Sequence, residues 1–156
     1  MNLTVQTDYA FRVLMFLAVR APRAATIQEM SDHYGVSRGH LMVLVHRLGS
    51  LGMLATTRGR RGGVRLARPA SEIRLGEVIQ ATEPDFDLAE CFTGESDRCL
   101  ISEPCKLRGI LSEALSAWFD ALNRYTVDDL VKRNPPLVHL LRTDEPAGGP
   151  SHTANA

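Results

Sequence analysis

Between Thr26 and Ala67 the chain prescribes two short helices, a tight turn between them and a basic hairpin, an order that few folds accommodate. Thr26-Ile27-Gln28-Glu29 is a Thr-x-x-Glu capping box that opens a helix, and Tyr34-Gly35 ends it, because glycine accepts the left-handed conformation of a helix terminus. Ser37 then caps a second helix whose Leu41, Leu44, Val45 and Leu48 fall on one face. Two helices joined this way predict a helix-turn-helix with the second as recognition helix. Gly52 closes that helix. Met53–Thr57 and Val64–Ala67 read as strands around Arg58-Gly59-Arg60-Arg61-Gly62-Gly63. A hairpin tipped by glycines and three arginines reads as a wing, suited to phosphates or a narrow minor groove.

Charge supports a polyanionic partner. Residues 1–70 hold ten arginines and three acidic residues, +7, whereas residues 71–156 hold eight Lys or Arg and fifteen Asp or Glu, −7, so the net charge of zero conceals a split. The basic half predicts contact with nucleic acid, double-stranded DNA foremost, and the acidic half faces solvent or a partner. No apolar run reaches membrane-spanning length. Asp8 and Arg12 interrupt any apolar signal core near the start, so a cytoplasmic location is expected. There is no phosphate-cradling glycine loop, no spaced acid and base and no nucleophile motif, and catalysis is not expected.

Ahead of the capped pair, residues 7–20 place Tyr9, Val13, Phe16 and Leu17 at helical spacing, with Thr7 as the expected N-cap and Asp8 in the first turn. After the break at Pro69-Ala70-Ser71, Leu75, Val78 and Ile79 predict a short helix leading into Thr82-Glu83-Pro84. Residues 85–104 are acidic and aperiodic, and a loop of that length is commonly functional. From Lys106 a helix of roughly twenty residues sets Ile110, Leu111, Ala114, Leu115, Trp118, Leu122 and Tyr125 at three- and four-residue steps, a seam suited to dimerisation. Thr126, Asp128 and Asp129 cap a further helix that Asn134-Pro135-Pro136 should stop, and Leu137–Leu141 offers one more packing patch. The expected organisation is mainly α with a small β-wing: a winged helix-turn-helix DNA-binding domain over 1–82, a cluster-binding loop over 83–105, a dimerisation helix and C-terminal helical segment over 106–142, and a disordered tail over 143–156.

Cys91, Cys99 and Cys105 are the only cysteines. Three thiols leave a remainder after any intramolecular disulfide, and in a reducing cytosol such a cluster reads as metal ligands or a redox sensor. Soft thiolates in a loop suit an iron–sulfur cluster or zinc, and both usually take a fourth donor. His33, His40 and His46 belong to the DNA-binding region, as surface or base-contacting groups. His139 and His152 lack ligand spacing.

Several motifs together carry a resemblance. Leu3-Thr4, Thr7-Asp8-Tyr9, Gly35-Val36-Ser37-Arg38 with His40, Arg58-Gly59 with Gly62-Gly63, the Cys-x7-Cys-x5-Cys set and Tyr125-Thr126-Val127-Asp128-Asp129-Leu130 make the chain resemble the NsrR family of nitric-oxide-sensing repressors, among the winged-helix regulators that also include IscR. The resemblance implies a homodimer with one [4Fe-4S] cluster per subunit, held by Cys91, Cys99, Cys105 and a carboxylate from the partner subunit, which Asp8 matches. Read from the residues alone, Asp8 is equally a first-turn acid favoured by the helix dipole. The IscR pattern, with a [2Fe-2S] cluster, has histidine three residues after the last cysteine, where this chain has Arg108.

The implied activity is repression of nitric oxide detoxification genes, relieved when nitric oxide reacts with the cluster and the spacing of the two recognition helices is lost. Ser37, Arg38, His40 and Arg47 are the expected major-groove contacts, and Arg58, Arg60 and Arg61 the flanking minor-groove contacts. The rival readings are a redox- or zinc-responsive regulator on the same fold and a protein-interaction module docking a metabolic enzyme.

Overall fold

The computed structural model describes residues 2–57, 59, 62–92, 101 and 104–143. Seven helices and one hairpin follow in the order α1 (Val5–Arg20), α2 (Ile27–Tyr34), α3 (Arg38–Ser50), β1 (Leu54–Thr57), β2 (Gly63–Leu66), α4 (Leu75–Thr82), α5 (Lys106–Leu122), α6 (Val127–Val131) and α7 (Pro135–Arg142). Helix α1 is the hub. It packs against α3 and β2 on one side and against α4, α6 and α7 on the other. Ala10, Val13, Leu14, Phe16 and Leu17 are accordingly buried around much of its circumference, and the helix is covered more completely than a one-faced amphipathic pattern implies.

The N-terminus of α1 lies one turn earlier than Thr7 predicts. Thr4 is the N-cap and its hydroxyl accepts from the Thr7 amide at 3.3 Å. Thr7 is instead fully buried, because its hydroxyl contacts the Thr82 hydroxyl at 2.7 Å and donates to Glu83 Oε1. Glu83 Oε1 also accepts from the Thr4 amide at 2.8 Å and the Thr4 hydroxyl at 3.1 Å, so one carboxylate gathers the donors at the start of α1. Burial raises the Glu83 pKa, but the hydrogen bonds from Thr7 and Thr4 outweigh it and hold the group below its ordinary value.

The capped pair forms as its sequence prescribes. Thr26 and Glu29 make a reciprocal capping box on α2, Gly35 adopts φ +64°, and the Ser37 hydroxyl accepts from the His40 amide at 3.3 Å. Ser31 donates to the Val36 carbonyl at 2.8 Å across the turn, and Tyr34 donates to the Arg12 carbonyl at 3.0 Å, tying the turn to α1. His33, expected at the surface, is 5% exposed and sits against Phe16 and Tyr34, with ring centroids 5.1 and 4.8 Å away. Burial pushes the Tyr34 hydroxyl pKa up.

The hairpin pairs antiparallel from Leu54↔Leu66 to Thr57↔Gly63. It is fastened to the body by reciprocal hydrogen bonds between Ala25 and Val64, at 2.9 and 2.7 Å. Gly63 permits this approach, since a Cβ there would lie 2.9 Å from the Ala25 carbonyl oxygen.

Helix α5 starts at Lys106 as expected and spans seventeen residues. The stop expected at Asn134-Pro135-Pro136 is a start instead. Helix α6 ends at Val131, Arg133 takes φ +54°, and Asn134 caps α7 with proline in its first turn. The far end of α7 is held by Arg20, whose side chain is 6% exposed, stacks 4.2 Å over the Phe16 ring and donates to the Leu141 carbonyl at 3.0 Å. No helix among the described residues is long and apolar enough to cross a membrane.

Candidate nucleic-acid interface and cysteine site

The recognition helix has two unlike faces. Leu41, Leu44, Val45 and Leu48 are buried against the body, which fixes the helix in rotation. Gly39, His40, Met42, Val43 and His46 are all exposed on the opposite side, and Ser37 and Arg38 are exposed at the N-cap and the first helical position. Arg47 is half-buried on the flank nearer α1. The structure thus places Ser37, Arg38 and His40 together at the exposed N-terminal turn of α3. Met42, which the sequence reading did not single out as a contact, shares with His46 the flank facing the hairpin. Its signal was available: with the buried positions fixed at 41, 44, 45 and 48, the 3.6-residue period leaves 39, 42, 43 and 46 pointing outward.

Between α3 and the hairpin runs a cleft of about 630 Å³. Gly62 donates to the Gly59 carbonyl at 2.8 Å, which turns the chain back at the wing tip. Gly59 itself has φ +107°, a conformation glycine takes without strain. Arg58, Arg60 and Arg61 lie outside the described residues.

The cysteine region begins at the start of α1, where Glu83 meets Thr4 and Thr7. Glu83 anchors the exit from α4, and the chain then runs past Phe86, whose ring meets Phe119 of α5 at 4.9 Å. Cys91 sits in a single 3-10 turn, Glu90–Phe92, and Cys105 is the residue preceding the first turn of α5. Both are half-buried free thiols. Cys99 lies outside the described residues. Among the described residues, no three His, Cys, Asp or Glu side chains gather as a metal site.

The donors that are described fit a thiolate-bound group. The Cys105 side chain makes no capping hydrogen bond to a helix amide, so its sulfur is not taken up by the helix it precedes. Asp8 is exposed on the first turn of α1, 2.8 Å from Arg12 in an i,i+4 ion pair. A carboxylate so placed is reachable from outside the protomer. Arg108 is also exposed, on the first turn of α5.

Helix α5 is unusual in the molecule because none of its residues is buried. Leu107 and Ile110 are 57% and 60% exposed, and Ile101 just before the helix is 63% exposed. Leu111, Leu115, Trp118 and Leu122 are half-buried.

A capped helix pair with a locked inner face and a free outer face, followed at once by a two-stranded wing, defines a winged helix-turn-helix protein. The model of the Rrf2 family, described as iron-dependent transcriptional regulators, matches residues 3–133, and the chain belongs to that family. It is therefore a transcriptional regulator. Relatives bearing the name HTH-type transcriptional regulator NsrR include one from Bacillus licheniformis, 44% identical over 142 residues that cover 90% of this chain and 99% of the relative. Another, from Bacillus subtilis, is 43% identical over 146 residues, 93% of this chain and 100% of the relative. The fold is shared with the crystal structure of Staphylococcus aureus CymR in its oxidized form, at TM-score 0.67 and 22% identity, covering 85% of this chain and 97% of that one. It is shared as well with T. potens IscR, at TM-score 0.64 and 19% identity, covering 85% and 87%.

Proposed function

We propose that the chain is a homodimeric repressor that binds double-stranded operator DNA and senses nitric oxide through one [4Fe-4S] cluster per subunit. The observation that carries the DNA reading is the outer face of α3, exposed along its length while the inner face is locked into the core beside the wing. Ser37, Arg38 and His40 enter the major groove with Arg47 on the flank, and Arg58, Arg60 and Arg61 follow the adjacent backbone or minor groove. Removing Arg60 then weakens binding to all duplexes alike and lowers the salt slope by about one.

Cys91, Cys99 and Cys105 would hold the cluster with Asp8 of the partner subunit as the fourth donor. When bound, the group supplies iron that nitric oxide can ligate. The chain's own residues supply the coupling. Glu83, the first residue of the cysteine loop, gathers the donors at the start of α1, and α1 carries Asp8 and packs against the recognition helix. A shift of the loop is therefore felt at α1 in the same protomer and, through Asp8, in the partner. The exposed apolar residues of α5 support the reading of that helix as the dimer seam.

Native mass spectrometry of protein purified without oxygen tests cofactor and assembly together. The expected species is a dimer carrying two four-iron clusters, which releases a salt-sensitive duplex complex on nitric oxide titration. A zinc-bound or metal-free dimer, or a two-iron cluster, overturns the sensor, and absence of salt-dependent duplex binding overturns the DNA reading.

A further inference from the structure

The flank of α3 that faces the wing lines a cleft with it, and Arg38 stands at the N-terminal end of that flank. The cleft between them is lined by Met42, His46, Ser50, Thr56 and Thr57 above an apolar floor, and none of its described lining residues is Lys, Arg, Asp or Glu. Phosphate contacts call for cations or free amide donors. A strip of methyl, thioether, imidazole and hydroxyl groups is suited instead to base edges, where thymine presents a C5-methyl beside its O4 acceptor.

Met42 is the large apolar side chain on this strip, and it is 59% exposed. Its neighbour Val43 turns the other way, toward a separate groove with Val5 and Tyr9 of α1, so Met42 is not the edge of one continuous greasy patch. One helical turn earlier on the same flank stands Gly39, around which a Cβ would meet nothing within 4 Å. The helix surface beside Met42 is thus cleared for close approach, and the thioether chain is unbranched and adjusts to what it meets.

We propose that Met42 is a specificity-determining residue that packs on a thymine C5-methyl in the major groove, selecting a T·A pair opposite the middle of α3. This rests on the DNA-binding reading and adds to it a base that the arginines do not read. In the test, a duplex is selected from a randomised pool by the holo dimer, each dT is replaced singly by dU, and binding is measured for the wild type, Met42→Ala and Met42→Leu. Removing a buried methyl lowers affinity about fourfold. That loss is expected for the wild type at one position per half-site, absent in Met42→Ala and retained in Met42→Leu. A loss of the same size in Met42→Ala, or no dU-sensitive position in the wild type, overturns the thymine contact while leaving DNA binding intact. Failure to select any duplex overturns the DNA reading, and the inference with it.

Discussion

The helix-turn-helix body and the α5 segment are built from similarly apolar sequences and end in opposite states. In the body, the apolar positions of α1 and α3 meet within one chain, so Phe16, Leu17, Leu44 and Leu48 are at most 2% exposed. In α5 an equally regular apolar pattern meets Phe86, the α4 flank and the half-buried fringe of the core, and none of its residues is buried. The body is finished as a protomer, whereas α5 has a face that matches nothing among the described residues. Stability should therefore reside in the body, and assembly in α5.

The sharpest way to break that contrast is Phe16→Ala. The ring is fully buried, carries the Arg20 guanidinium and meets both His33 and Tyr34, so its loss should cost about 3–5 kcal/mol in chemical denaturation. A cost near that of an exposed position would mean that the body is not the stable unit. Gly63→Ala comes next. The added methyl would press on the Ala25 carbonyl, which is backbone and cannot swing aside, and a loss of about 1–3 kcal/mol is expected. If instead Gly63→Ala leaves the denaturation midpoint unchanged, the wing is not fastened at Ala25.

Glu83 sits at the border of the two regions, and pH sharpens the comparison there. Its pKa is lower folded than unfolded, so its contribution is fully present above the ordinary glutamate value of about 4.3 and is lost as pH falls through the folded value. Glu83→Gln keeps an acceptor but removes the charge, at a cost of about 1 kcal/mol at neutral pH. The difference between variant and wild type should shrink as acid is added. A constant difference across that range would show that the Thr4 and Thr7 donors do not depend on the carboxylate charge.

Local chemistry was legible from sequence wherever the partners are close in the chain. Thr26 with Glu29, Gly35, Ser37 with His40, and Thr126 with Asp129 each satisfy backbone groups within a few residues. The cap on α1 was misplaced to Thr7 for the opposite reason: the group that claims Thr7 is Glu83, seventy-six residues away. His33 followed the same logic, since its burial depends on Phe16 of another helix. Asn134-Pro135-Pro136 was ambiguous by nature, because proline that ends one helix is equally suited to the first turn of the next. For the cysteine site, sequence proposes a donor set but says nothing of its gathering. Cys91 and Cys105 are placed at a 3-10 turn and at the edge of α5, while Cys99 lies outside the described residues.

The smallest expected effect is the one that separates the regions most cleanly. Ile110 is 60% exposed on α5, and Ile110→Ala should change protomer stability by no more than about 0.5 kcal/mol. In the proposed dimer the same side chain is covered by the partner, and truncating it twice, once per subunit, should raise the dimer dissociation constant well beyond what a surface substitution does. Sedimentation over a range of concentrations reads the second effect and denaturation at low concentration reads the first. If both stay flat, the apolar face of α5 is not the seam, and the second copy must dock elsewhere. If both move together, folding and assembly are one transition, and the body is not complete without its partner.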